Sequence, residues 1–547
     1  MTNLSVLLTD TDDNYKEKNE ALLKGIGARS TNEIIIGFSG MLGSGVSGMV
    51  TKFEKQFKKK SYDTEHIKLS DLLKDRYNDV RPELTDSYLK YKDLDNDIKK
   101  LSYFEKVISL QSIGNHLRDK YSTSILSQYA LDKILNNRIK THSDNDTDNT
   151  IEVGEILNKA KEENIRKVTF IDSIKHIDEY NLLRTVYNNM FYMVGVLCPE
   201  KIRKERIDND YDIESGEIEI LTKRDKKEDL DSGSGQQTLK VLQESDIFLR
   251  NISLEDSKDN IERYVELILG APNIRPTIDE FGMFTAQAAA QQSGCISRQV
   301  GASIFSKYND IISTGCNDAP IFGGGHFTST SMAPDNRCCS LGAEDKCKNT
   351  QELENIRKDI IEIVKEEVGG RKDINSDKLS ENIFKNTRIK SLIEFSKAVH
   401  AEMDAITTAA RNGSNSLKGS TLYCTTFPCH LCATNIIATG IEKVYYIEPY
   451  LKSLAIDLHE DQVNFDPKDI DPEHEENKGR VLFLPFEGVA PKQYLNIFKS
   501  YERKATDGTK KEYDIKKAIP ALKQMMDPYT DYEVAISTSF KNLIDGD

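Results

Sequence analysis

His400 and Glu402 lie two residues apart in AVHAEMDAI, and Cys429 and Cys432 lie three apart in TTFPCHLCATNIIATG. One imidazole and two thiolates are ligands that zinc selects, and three protein ligands leave the fourth corner of the tetrahedron to a water. Zinc lowers the pKa of such a water toward neutrality. Glu402, just beyond the histidine, can relay a proton beside that water without binding the metal. A lone C-x-x-C serves equally as a redox pair or as half of a structural zinc site, and a lone H-x-E says little. Here the two occur together, and the chemistry they point to is attack of an activated water on an electrophilic carbon.

Such a site needs two helix N-termini held side by side. Pro428 suits the first position of a helix and Gly440 its C-terminal cap. The two cysteines then share one face of the first turn, where unpaired amides favour thiolate over thiol. Around them the pattern alternates: a helix through FTAQAAAQQS, a strand pair VGASIFS and DIISTGC, a charged helical insertion at about 327–395, the helix after His400, strand TLYCTT, the cysteine helix, and strand KVYYIEP. Upstream, EIIIGFSG, RKVTFIDSI and NMFYMVGVLC read as buried strands, with a helix DEYNLLRTVY between the last two and THSDNDTDNT (141–150) as a surface loop. This alternation predicts an α/β chain with a doubly wound parallel sheet in its N-terminal half. The helix EDSKDNIERYVELILG closes at Gly270, and APNIRP is the candidate linker. The expected domains are 1–270, 271–485 and a helical tail at 486–547.

A length of 547 residues calls for more than one core. The formal charge of −15 argues against broad capture of nucleic acid, while leaving room for a local pocket for a small anion. No run approaches the length needed to span a bilayer, and the first residues turn acidic before a signal-peptide core can form. The expectation is a cytoplasmic protein. Of nine cysteines, eight fall between Cys295 and Cys432, a clustering that in the cytosol points to metal rather than disulfides.

His326, Cys338, Cys339 and Cys347 form a candidate second, structural zinc set, the alternative being core thiols. Cys295, Cys316 and Cys424 sit in or beside apolar runs and read as core. In the N-terminal half, Gly40, Gly43, Ser44, Gly45 and Ser47 match a phosphate-cradling P-loop except that Val46 stands at the lysine position. A loop of backbone amides still favours an anion, but phosphoryl transfer lacks its cation. Asp172 stands at a strand end, where magnesium or a nucleophile could be handled. The domain reads as one kept for binding, regulation or docking.

The H-x-E with P-C-x-x-C pattern is the signature of zinc nucleobase deaminases. SRQVGASIF, IISTGCNDAPIFGGGHF, VHAEMDAI and TLYCTTFPCHLCATNIIATGIEKVYYIEPY together resemble deoxycytidylate deaminases over residues 277–460. FIDSIKHIDEYNLLR resembles nucleoside-monophosphate kinases, and the whole chain is similar to bacterial anti-phage deoxycytidine-nucleotide deaminases. The resemblance implies a P-loop kinase-like domain followed by a cytidine-deaminase-like αβα sandwich. It implies water attack at C4 of the cytosine of dCTP or dCMP, with Glu402 passing protons to N3 and to the leaving amine. By the same similarity Asn317 contacts sugar and base, unless it is only a turn-former. Arg298 is placed for phosphate, and Tyr450 and Lys452 for the nucleotide tail. A hexamer, an inhibitory RNA and depletion of the dCTP pool on infection also follow from it. Two other readings stay open: a deaminase of tRNA or single-stranded DNA, and a nucleotide- or RNA-sensing protein with structural zinc.

Overall fold

The protein is described by a computed structural model at residues 30–84, 94–142, 163–211, 213–226, 233–252, 257–327, 347–368, 371, 375–392, 395–413, 416–448, 453–465, 474–475, 477–499, 503–510 and 512–545. The chain divides into two units, residues 1–275 with 495–547, and residues 276–494.

The first unit is built on a sheet of parallel strand pairs. Its elements are β1 (Ile34–Gly40), α1 (Val46–Lys59), β2 (Asp63–Lys68), α2 (Tyr103–Lys120), α3 (Ile125–His142), β3 (Lys167–Asp172), α4 (Ile177–Tyr187), β4 (Phe191–Leu197), α5 (Glu200–Asp210), α6 (Ser215–Lys226), β5 (Ile247–Arg250) and α7 (Ser257–Ile268). β1 lies between β3 and β4, with β2 beyond β3 and β5 beyond β4. Every residue of β1 is buried, as expected of a parallel strand covered on both faces. The strand order reverses at β1, and in open parallel sheets ligands bind beyond the C-terminal end of the strand at that switch. The glycine-rich loop leaves β1 at that end.

The second unit contains α8 (Ile278–Ala290), β6 (Gly301–Phe305), β7 (Ile311–Cys316), α9 (Lys348–Val368), α10 (Ser376–Asn386), α11 (Ala401–Arg411), β8 (Thr421–Thr426), α12 (His430–Thr439), β9 (Lys443–Glu448), β10 (Val463–Asn464) and β11 (Val481–Pro485). Its sheet runs β7–β6–β8–β9–β11–β10. β6 is antiparallel to both β7 and β8, and the other pairings are parallel. Successive side chains on a strand face opposite sides, and the contacts follow that rule. Ser303 donates its hydroxyl to Gly282 O and Tyr423 donates to Asp279, both on the α8 side. Ala302, Ile304, Leu422 and Cys424 share a core with Ala401 and Ala405 of α11 and Ala433 and Ile436 of α12. Helices on both faces make the unit an αβα sandwich.

Three expectations need correction. The boundary falls at Arg275/Pro276, beyond Gly270, although Gly270 does adopt the left-handed cap conformation, with φ of 74°. Residues 486–547 are not a separate helical tail: the first of them stay with the second unit, and from Leu495 onward they belong to the first. There α13 (Met526–Asp545) packs against α3, with Tyr529 and Phe540 in the core. Finally, α12 starts at His430, two residues later than Pro428 at the first helical position suggests, with Cys429 as its N-cap. The loop expected at 141–150 lies outside the described residues from 143 onward. Among the described residues, no helix is long and apolar enough to cross a membrane.

Candidate active site

Two helix N-termini deliver the metal-binding residues. His400 is the N-cap of α11, and Glu402 and Asp404 lie in its first turn. Cys429 is the N-cap of α12, and Cys432 lies one turn further on, fully buried. His400 Nδ1 is 3.3 Å from Cys429 Sγ and 3.4 Å from Cys432 Sγ. A tetrahedral zinc with bonds of the usual lengths separates nitrogen from sulfur by about 3.6 Å, so the three atoms stand where the ion requires them. Their protonation fits as well. Contact with Cys432, then His400, draws the Cys429 thiol below its ordinary value. Contact with Cys429 and burial push Cys432 up. A divalent ion accommodates both sulfurs as thiolates.

Glu402 is 4 % exposed, and burial pushes its carboxyl above the usual range while His400 opposes the shift. It is not one of the three clustered metal-binding groups. It faces a cavity of about 250 Å³ whose lining includes Arg298, Asn317, Cys347, His400, Glu402 and Phe427. This is a buried acid–base group beside a metal seat, opening into a chamber of ligand-binding kind.

Asn317 lines this cavity, and its amide makes two backbone hydrogen bonds. Oδ1 accepts from Val300 N–H at 2.6 Å and Nδ2 donates to Arg298 O at 2.7 Å. It therefore shapes the cavity wall at 298–300. Arg298 also lines the cavity and is ion-paired with Glu448. Tyr450, Lys452, Cys338 and Cys339 lie outside the described residues. The described members of the expected second zinc set do not group together. His326 clusters with Cys316 and Asp404, whereas Cys347 lines the cavity and contacts Ser297. Cys316 and Cys424 are buried as expected. Cys295 is not core: it lines the cavity. Its place two residues before Ser297, in the run leading to Arg298, was the signal available in sequence.

In the first unit, Gly43 and Gly45 both have φ of 80°, a conformation that glycine adopts without steric cost. Ser47 Oγ donates to Asp172 Oδ2 at 2.7 Å. No motif or spacing marks Asp225. Its Oδ2 accepts from Leu42 N–H in the glycine loop at 2.6 Å, and its Oδ1 pairs with Lys175 Nζ at 2.7 Å. Lys175 also donates to Gly40 O. A carboxylate of the chain itself thus occupies an amide of the anion-favouring loop, and a lysine from beyond β3 sits against that loop.

The second unit therefore carries an imidazole–dithiolate cluster able to hold a metal ion, with a buried carboxyl beside it. Residues 276–448 match the family described as the cytidine and deoxycytidylate deaminase zinc-binding region. The deoxycytidylate deaminase of Enterobacteria phage T4 is 33 % identical over 170 residues, which is 31 % of this chain and 76 % of that protein. The deoxycytidylate deaminase of Saccharomyces cerevisiae is 28 % identical over 182 residues, 33 % of this chain and 40 % of that one. The crystal structure of dCMP deaminase from the cyanophage S-TIM5 in complex with dCMP and dUMP aligns at a TM-score of 0.20 and 23 % identity, over 35 % of this chain and 94 % of that one. The chain belongs to the cytidine and deoxycytidylate deaminase family and is a zinc-dependent deaminase.

Proposed function

We propose that the second unit hydrolyses the amino group of cytosine in a free deoxycytidine nucleotide, dCTP or dCMP, giving the deoxyuridine nucleotide and ammonia. The observation that carries this reading is Glu402, buried and free of the metal cluster, facing a nucleoside-sized cavity beside His400 and Cys429. His400, Cys429 and Cys432 would hold zinc, which when bound polarises a water for attack. Glu402 takes a proton from the attacking water and gives it to N3 as oxygen bonds to C4. It then carries a second proton to the exocyclic nitrogen, the C4–N bond breaks, and ammonia leaves. A carboxyl raised by burial holds a proton more readily than a solvated one, which suits a group that must both accept and donate. Phe427, buried against Tyr446, supplies an apolar wall for a base.

A polynucleotide substrate is disfavoured by the net charge of −15. The first unit we read as a P-loop-like module that binds an anionic ligand without phosphoryl transfer, since Val46 replaces the lysine and Lys175 is paired internally with Asp225. Control of the deaminase through that module, an inhibitory RNA, a homo-hexamer and a defensive role against phage remain part of this proposal through the resemblance of sequence. The test is incubation of purified protein with dCTP, dCMP, CTP, cytidine and single-stranded DNA, with and without Glu402→Ala, following the uracil product. Glu402-dependent product from dCTP or dCMP supports the reading. Product from single-stranded DNA alone, or from nothing, removes it.

A further inference from the structure

The glycine-rich loop between β1 and α1 holds a carboxylate, and that carboxylate belongs to the chain. Asp225 Oδ2 accepts from Leu42 N–H at 2.6 Å, and its Oδ1 accepts from Lys175 Nζ at 2.7 Å and from the Thr238 hydroxyl at 3.2 Å. Lys175 also donates to Gly40 O at 2.7 Å, so the cation lies against the first residue of the loop. Asp225 is 2 % exposed. A loop amide and a lysine converging on one anion are the parts of a phosphate seat, here with a side chain in place of the ligand.

Asp225 fills that seat only in part. Ser44 Oγ is buried and has no hydrogen-bond partner among the described residues. A Cβ on Gly40 would stand 2.3 Å from this oxygen, which places the hydroxyl inside the turn of the loop. Gly45, the N-cap of α1, has no side chain to satisfy the amides that follow it, and the first turn of α1 carries no acidic residue. A buried polar group without a partner is unfavourable, and a helix start favours negative charge. A phosphate chain brings more acceptor oxygens and more charge to these groups than one carboxylate does.

We propose that Asp225 is a resident stand-in for phosphate, and that a ligand carrying a phosphate chain, as a nucleotide or a polyphosphate does, binds the loop by displacing it and pairing with Lys175. This rests on the reading of the first unit as an anion-binding module. Lys175, from the turn after β3, then supplies the cation that Val46 does not. The exchange strands no buried charge, because the lysine passes from one anion to another while the carboxylate moves to water. Asp225 lies in the last turn of α6, and helix ends fray, so its release asks for no change in the sheet. The step is one of binding and breaks no bond in the ligand. A tethered occupant lowers the apparent affinity of an incoming ligand by the fraction of molecules whose seat is open. Asp225 thereby sets the ligand concentration at which the module fills, and filling it frees the end of α6.

The test reads binding, not turnover. Isothermal titration calorimetry with magnesium present measures ATP and inorganic tripolyphosphate against full-length wild type, Asp225→Asn and the double variant Asp225→Asn/Lys175→Ala. We expect Asp225→Asn to bind at least one probe roughly tenfold tighter than the wild type does, and the double variant to lose that gain. A gain for ATP alone supports exchange with a nucleotide, and a gain for both probes supports exchange with the phosphate chain itself. Hydrogen exchange of the wild type, read by mass spectrometry, keeps the question open to test should Asp225→Asn fail to fold. On saturation with the probe, exchange should slow in the glycine-rich loop and quicken in the last turn of α6. Equal affinity of wild type and Asp225→Asn, or a saturated protein without quickening in α6, would overturn the exchange and leave the anion-binding module standing. No binding of either probe to any folded variant would overturn both.

Discussion

At the scale of single residues, the decisive feature is one carboxyl held in the dark beside three metal-binding atoms. Removing its charge should separate chemistry from metal binding. Glu402→Gln is expected to lower deamination by roughly 10²–10⁴-fold while zinc per chain stays at the wild-type value, read by turnover assay and elemental analysis on one preparation. A parallel fall in zinc would move Glu402 into the ligand set. Cys429→Ser is expected to do the reverse, losing zinc first and activity as a consequence. Dialysis against a chelator should abolish turnover, and returning zinc alone should restore it; recovery with magnesium instead would be incompatible with the imidazole–dithiolate seat.

At the scale of elements, the site exists because two helix starts are pressed against the sheet, and glycine permits the approach. A Cβ on Gly315 of β7 would fall 2.3 Å from Ala405 N and 2.4 Å from Ala401 O, both backbone atoms of α11. On the opposite face, a Cβ on Gly301 of β6 would fall 2.0 Å from Ala286 O of α8. Backbone cannot swing aside as a side chain can, so Gly315→Ala should push α11 outward. Overpacking of this kind costs about 1–3 kcal/mol, and the same displacement moves His400 and Glu402. The expected outcome is a lower unfolding midpoint in urea together with weaker zinc retention. A variant with normal stability and full zinc would show that α11 does not depend on this contact.

At the scale of the molecule, the chain leaves its first unit at Arg275 and rejoins it at Leu495. The return is fixed by buried charge. Glu533 on α13 accepts from Arg138 Nε and Nη2, both at 3.1 Å, and from the Tyr187 hydroxyl at 2.8 Å. Arg138 also pairs with Glu33 just before β1. Glu533 is fully buried. Breaking a buried pair leaves the partner charge uncompensated, at a cost of about 3–5 kcal/mol, and the pairing with Glu33 places this case near the lower end. Glu533→Ala should therefore release α13, seen as new protease sensitivity after about residue 525, and lower the unfolding midpoint of the first unit. Unchanged proteolysis would mean that the Tyr529 and Phe540 packing alone holds the helix.

What the sequence by itself determined was local. The two halves of the metal seat, His400 with Glu402 and Cys429 with Cys432, are each two or three residues apart at a helix start, and helix geometry fixes the positions within each half; the sheet then brings the halves together. The glycine loop after β1 and the strand–helix alternation were legible for the same reason. What tertiary structure decided involves pairs far apart in the chain: Asp225 on the amide of Leu42, Asp404 on that of Cys316, and Glu533 on Arg138. No period or motif links such residues, because sheet order and helix packing bring them together only once the core has formed. The backbone bonds of Asn317 to residues 298 and 300, the regrouping of His326 away from Cys347, and the return of the C-terminal helix to the first unit all belong to that second class. Each depends on which buried polar group finds a partner, and that is settled in three dimensions.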